Sequence, residues 1–197
     1  MATLSGNIQL DSIEVSGSLI SGSLDPVPPT LLLQALVTRE GRVDDGQLVK
    51  VLQPAWNKLL AMLKSDPGAL HKLDATQFEE LIAATYDKAG FEEVILTPRS
   101  GDLGRDVIAV KRGWGSVRII DQAKCFAPGH RVSANDVRAL LGVLQSDRAA
   151  TKGVVSTTSS FAPGIPTDPL IAPFVPFRLE LVDGPELLKR ISMLEPP

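Results

Sequence analysis

The stretch that most constrains the fold runs from Asp106 to Lys124, where two strand-like segments flank Gly113-Trp114-Gly115. A hairpin is the economical reading, because glycine adopts turn conformations that other residues resist and β-branched neighbours favour extended backbone. If the Gly113-Trp114-Gly115 loop sets the register, Asp106 lies opposite Gln122. Side chains alternate along a strand, so Gln122 and Lys124 then share the face of Asp106. A slip of one residue pairs Asp106 with Asp121 instead, so the convergence of these side chains depends on the loop.

Periodicity organises the rest. Phe78, Leu81, Ile82, Thr85, Tyr86 and Ala89 form a stripe at helical spacing, which predicts a helix from about Ala75 to Ala89 that stops at Gly90. Strands are expected at Glu93–Thr97, Asp106–Val110 and Val117–Lys124, followed by a helix from about Asn135 to Ala149 with Ser133 as its cap. Gly153–Ser156 and Leu179–Val182 are short apolar runs suited to buried strands, and Gly184-Pro185 opens a last helix. The Pro-rich stretch Ala162–Pro176 reads as a long surface loop. Upstream, residues 1–30 suggest an arm or small hairpin. Leu31–Leu63 carries two helical patterns separated by Gly41, Asp44, Asp45 and Gly46, the second with Leu52, Trp56, Leu59, Leu60 and Leu63 and with Pro54 in its first turn. The turn signal Ser65-Asp66-Pro67-Gly68 sets the expected division into 1–30, a helical segment 31–68, and a main domain 69–197.

A chain of 197 residues can bury one substantial core with an appendage. No apolar run reaches the roughly 18 residues that a membrane span needs, and Met1–Leu10 lacks a secretory pattern. Cys125 is the sole cysteine, which rules out a disulfide within the chain, so a reducing cytoplasm is the expected compartment. With His71 and His130 as the only histidines, ligands for a structural zinc site are too few. Net charge is -3, yet Arg99–Arg138 holds eight basic residues against four acidic ones, a local surplus that from charge alone reads first as a solvated surface and second as a patch for nucleic-acid phosphates.

A carboxylate, an amide oxygen and an ammonium on one face suit phosphodiester hydrolysis, in which hard oxygen ligands hold a divalent ion that activates water. Mg2+ is the expected ion, with Mn2+ as a substitute. Lys124 would stabilise the charge developing on the phosphate or orient the attacking water. Taken singly, Asp106, Gln122 and Lys124 each have a plainer reading as strand-end or surface residues. Thr76-Gln77-Phe78-Glu79 fits a capping box, yet Glu79 lies nearer the apolar face than Glu80 and is the preferred helix carboxylate for a site. Thr157, Thr158 and Ser159 either line the cleft or end a strand.

Phe78-Glu79-Glu80-Leu81-Ile82, Gly90-Phe91, Ser100-Gly101-Asp102-Leu103-Gly104-Arg105-Asp106, Gln122-Ala123-Lys124, Val137-Arg138-Ala139-Leu140-Leu141-Gly142 and the run Gly153–Phe161 occur in order. Over about residues 72–192 these blocks resemble the Mrr-like catalytic domain of the PD-(D/E)xK nuclease superfamily. The resemblance implies an α/β, restriction-endonuclease-like αβββαβ core, its mixed central sheet flanked by helices, plus a small N-terminal appendage. It implies a metal-dependent DNA endonuclease acting in restriction of foreign or modified DNA, with Asp106, Gln122 and Glu79 as metal ligands and Lys124 beside them. Arg99, Arg105, Lys111, Arg112, His130, Arg131 and Arg138 are then the candidates for contacts to DNA. Gln122 stands where the superfamily more often has glutamate, and Leu103 where the family often has glycine. Cutting both strands calls for two sites, so a homodimer or larger assembly, or a partner that supplies the second site, is expected. Two other readings stay open: a catalytically silent DNA-binding or assembly module, and a structure-selective or RNA-directed nuclease.

Overall fold

Val107-Ile108-Ala109-Val110 are four buried residues in succession, the mark of a strand covered on both faces. In the computed structural model, which describes residues 36–98 and 104–194, this strand lies at the centre of a seven-stranded sheet. The expected arm at 1–30, Arg99 and Leu103 lie outside the described residues. In chain order the elements are β1 (Val37–Val43), β2 (Gly46–Val51), α1 (Gln53–Ser65), α2 (Ala75–Lys88), β3 (Glu93–Leu96), β4 (Val107–Lys111) and β5 (Val117–Lys124). After β5 come β6 (Arg131–Val132), α3 (Ala134–Ser146), β7 (Lys152–Thr157), β8 (Ser160–Phe161), β9 (Leu179–Val182) and α4 (Gly184–Ser192). The sheet order is β1-β2-β3-β4-β5-β7-β9, antiparallel as far as β5 and parallel from β5 through β7 to β9. The run α2-β3-β4-β5-α3-β7 is the expected αβββαβ core.

Helices cover both faces. On one side Trp56 and Leu59 of α1, Phe78 and Leu81 of α2 and Leu187 of α4 share a core with Val107 and Val154 of the sheet. On the other, Val137 and Leu140 of α3 pack with Ile120, Val155 and Leu179. Ile165 and Ile171 are buried in that second core, so residues 162–176 are not merely a surface loop: two short 3-10 turns, Ile165–Thr167 and Ala172–Phe174, fold them onto the sheet. Among the described residues no helix is long and apolar enough to cross a membrane.

The segment expected to be helical at 31–68 needs correction. Among its described residues, Gln53–Ser65 alone is an α-helix, with Pro54 in its first turn; Val37–Val51 is a β-hairpin extending the sheet beyond β3. Val37, Thr38, Val49 and Val51 are β-branched and pair across the hairpin, and a ladder to β3 outweighs the weak helical pattern. Gly46 makes the junction possible: its φ is +150°, and a Cβ there would clash with the carbonyl oxygen of Leu96.

Residues 36–68 therefore share a core with α2, α4 and the central strands, and Trp56, fully buried within it, reports on the joint. Trp56→Ala is expected to lower the unfolding free energy by about 3–5 kcal/mol, read as a drop in the urea midpoint of one cooperative transition. A separate early transition with the main one unmoved would show the hairpin and α1 to be an independent unit.

Candidate active site

The β4–β5 ladder pairs Val107 with Asp121 through to Lys111 with Val117. Continuing that register by one residue brings Asp106 opposite Gln122, the alignment expected from the loop rather than the slipped one. Just ahead of β4 the chain turns away at Gly104, whose φ is +76°. The ladder would otherwise leave the Ala123 amide without an acceptor, and Asp106 Oδ2 accepts from it at 2.7 Å. The Asp106 amide in turn donates to the Asp121 carbonyl at 3.0 Å. Asp106 is thus fixed by β5 itself.

Gln122 and Lys124 point to the α3 side of β5, the face of Ile120. Gln122 is 8% exposed, its amide nitrogen lies against Gly104, and its Oε1 is buried with no hydrogen-bond partner among the described residues. An orphaned buried acceptor costs about 1–3 kcal/mol unless something binds it. Lys124 is half-buried, and its Nζ lies 3.9 Å from Asp136 Oδ1 at the start of α3. Asp136 is held there by the helix cap: its Oδ2 accepts from the Ser133 amide and hydroxyl at 2.9 and 2.6 Å. Burial opposes ionisation of Asp136, but these bonds and the Lys124 charge win and lower its pKa. Sequence reasoning passed over Asp136, and the Ser-x-x-Asp spacing was its only local signal.

Glu79 is half-buried on α2. The α2 cap is Asp74 with Gln77, not Thr76 with Glu79: Asp74 Oδ1 accepts from the Gln77 amide at 2.8 Å, and the Asp74 amide donates to the Gln77 side chain at 3.0 Å. Cys125, just past the end of β5, donates to the Leu73 carbonyl at 3.2 Å and packs into the α1–α2 core. Burial raises its thiol pKa, and the charges of Asp74 and Glu79 add to the rise, which places Glu79 near the end of β5. Thr157 and Thr158 donate to the Lys124 and Phe126 carbonyls at 2.7 Å each, binding the end of β7 to the segment after β5.

Among the described residues no three His, Cys, Asp or Glu side chains converge on a point, so any ion would rest on a sparser set. Asp106 carboxylate and the orphaned Gln122 oxygen are hard donors of the kind Mg2+ takes, and Mg2+ commonly keeps several waters. The donor chemistry fits such an ion.

The basic residues are less available than their count suggests. Arg105 and Arg118 sit between Asp45 and Asp147 in a cluster of two positive and two negative groups at 3.1–3.5 Å. Arg112 pairs with Glu93 at 2.7 Å and Arg138 pairs with Asp168. Lys111 and Arg112 lie at the far end of β4, roughly 17 Å from Asp106 at a strand's rise per residue. His130 and Arg131 are exposed just past the Lys124 end of β5.

Asp121, on the opposite face of β5, is 1% exposed. Tyr86 and Ser156 hydroxyls donate to its Oδ2 at 2.8 and 2.9 Å. Burial pushes its pKa up to about 7 against the lowering effect of those bonds, with a smaller upward push from Asp106. An unfolded aspartate ionises near 3.9, so between about pH 4 and 7 the folded chain retains a proton that the unfolded chain releases. Stability present below pH 4 is therefore lost as pH rises to 7. Asp121→Asn removes this loss, so the urea midpoint of the wild type minus that of the variant should fall across that window; a constant difference would contradict the buried acid.

A family model described as "Restriction endonuclease", Mrr_cat, matches residues 70–191. Among solved structures, the MspJI restriction endonuclease in complex with a 27-mer oligonucleotide is similar at 21% identity and a TM-score of 0.43, over 72% of this chain and 31% of that one. The DNA modification-dependent restriction endonuclease AspBHI is similar at 15% identity and a TM-score of 0.41, over 84% of this chain and 35% of that one. The chain thus spans about a third of the length of these proteins. No curated protein matches it.

Proposed function

Because the chain belongs to the Mrr_cat family of restriction endonucleases, we propose that it is a metal-dependent DNA endonuclease that hydrolyses phosphodiester bonds in the restriction of foreign or modified DNA. What supports this reading is the β4–β5 register, whose continuation sets Asp106 opposite Gln122 with Lys124 on the same face, together with Gln122 Oε1, buried and without a partner among the described residues.

Asp106 and Gln122 would hold Mg2+, with Mn2+ as a substitute and Glu79 as a further carboxylate at the same end of the sheet. The bound ion supplies charge neutralisation at the phosphate and a more acidic water. The Ala123 amide keeps the Asp106 carboxylate oriented, and the burial of Gln122 keeps its oxygen from turning to solvent. Lys124 brings a positive charge to the phosphate, with Asp136 restraining its swing. His130 and Arg131 lie where the DNA backbone would pass, and two copies of the chain, or a partner, would serve the two strands.

Plasmid cleavage with and without Mg2+, on methylated and unmethylated DNA, tests the proposal. Asp106→Ala and Lys124→Ala should each lower the rate by at least about 100-fold with the fold intact. Gln122→Glu adds a negative charge to the donor set and should lower the Mg2+ concentration needed for half-maximal cleavage. The neutral Gln122 in the donor set also favours a second reading, a binding module with the nuclease fold. DNA binding without cleavage under any metal would establish that one, and cutting confined to branched, single-stranded or RNA substrates would redirect the first.

A further inference from the structure

Asp106 and Gln122 are linked through the short stretch that precedes β4. Gly104 is wedged between the Gln122 amide and Val143 of α3: a Cβ there would lie 3.6 Å from Gln122 Nε2 and 3.4 Å from Val143 Cγ2. Two residues on, Asp106 is bonded to β5. Whatever fixes Gly104-Arg105-Asp106 therefore fixes both candidate metal donors at once. The Thr97 hydroxyl donates to the Arg105 carbonyl and holds the middle of this stretch by its backbone.

The Arg105 side chain is held from two other elements. Its Nη1 lies 3.4 Å from Asp45 Oδ1 in the β1–β2 turn and 3.5 Å from Asp147 Oδ2 at the end of α3. Arg118 Nη2 reaches the same two carboxylates, at 3.1 and 3.4 Å, and closes the group into a neutral ring. Each acid is set by its own element. Asp147 Oδ1 accepts from the Ala149 and Ala150 amides at 3.0 and 3.2 Å, and the turn carrying Asp45 is fixed by the close approach of Gly46 to Leu96. The two arginine side chains are only 15% and 16% exposed. Isolated surface ion pairs contribute little, but a network of well-held groups has a defined geometry. An arginine fork can bridge two carboxylates where a lysine offers a single point. A phosphate approaching the ring meets no net charge, which suits Arg105 to a strut more than to a DNA contact.

We propose that Asp45 is a positioning residue of the candidate site: through Arg105 it holds Gly104 against Gln122 and keeps Asp106 in line. Asp45 lies outside residues 70–191, which the family model matches, so the N-terminal hairpin becomes a working part of the nuclease. The effect on rate rests on the nuclease reading, whereas the effect on Asp106 does not.

Asp45→Asn in the full chain keeps the shape of the side chain and removes its charge. It should lower kcat for plasmid cleavage about ten-fold or more with KM for DNA unchanged, the pattern of a change that misplaces the reacting groups. Val49→Ala, at a buried position of the same hairpin, leaves the ring intact; it should lower the urea midpoint more than Asp45→Asn does and leave kcat at the wild-type value. Ala123 gives a reading that needs no activity, because its amide donates to Asp106 Oδ2. Its amide proton resonance should move in Asp45→Asn and stay in place in Val49→Ala. An unmoved Ala123 resonance or an unchanged kcat in Asp45→Asn would overturn the proposal, and a KM that falls alone would make Arg105 a DNA contact that Asp45 restrains. If the wild-type chain cuts no DNA, the nuclease reading fails and the Ala123 resonance alone decides on the strut.

Discussion

β5 is bonded along both edges, to β4 by an antiparallel ladder and to β7 by a parallel one, so its side chains have only two directions to take. Ile120, Gln122 and Lys124 go to the α3 side. Ile119, Asp121 and Ala123 go to the side of α2 and α4. Two neighbouring polar residues, Asp121 and Gln122, thereby end up in separate environments, one on the side of α2 and α4 and the other on the side of α3, beside Gly104. Among the described residues, each leaves one side-chain oxygen without a hydrogen-bond partner. Oxygens of this kind are rare in folded proteins and costly, which is why they mark positions where something outside the chain's own hydrogen bonding is expected.

Charge is distributed by the same fold, with less regard to sequence proximity. The local surplus of positive charge between Arg99 and Arg138 is largely absorbed by acids from elsewhere in the chain. Asp45 comes from the β1–β2 turn, Asp147 from the end of α3, and Asp168 from the segment folded under the sheet. The Arg105–Asp45–Arg118–Asp147 cluster also fastens the N-terminal hairpin to the central strands and to α3, so these arginines help to join elements. What stays exposed and basic near Lys124 is the short stretch of His130 and Arg131.

The legible parts of this molecule are those set by local pattern. α2 follows from its apolar stripe, α1 from Trp56 and the leucines behind Pro54, and the β4–β5 register from a glycine-bounded loop. The N-terminal hairpin was hidden because its strand character comes from pairing with β3, some fifty residues away from β1 in sequence, and no local pattern encodes a partner at that distance. The cap of α2 was misplaced by two residues because Asp74 and Thr76 each precede a suitable residue at the right spacing. Local chemistry alone does not choose between them. Asp121 was visible only as the partner in the wrong register; its burial depends on α2 and α4, which converge from opposite ends of the described core. Asp136 was likewise plain as a helix-start acid, but its closeness to Lys124 depends on how α3 returns across the sheet.

The β4–β5 loop, Arg112–Ser116, carries the fully exposed Trp114 and lies beyond the Val117 end of β5, away from Asp121 and Gln122, yet it governs the direction of both. Strand alternation has a parity, and this loop holds it. An extra residue absorbed into β5 would turn Asp121 toward α3 and Gln122 toward Tyr86, emptying both environments at once, whereas one looped out beside Trp114 would leave them untouched. Length changes in this loop are therefore a matter of where the added residue settles, and the two faces of the sheet can drift in sequence only while they stay in phase.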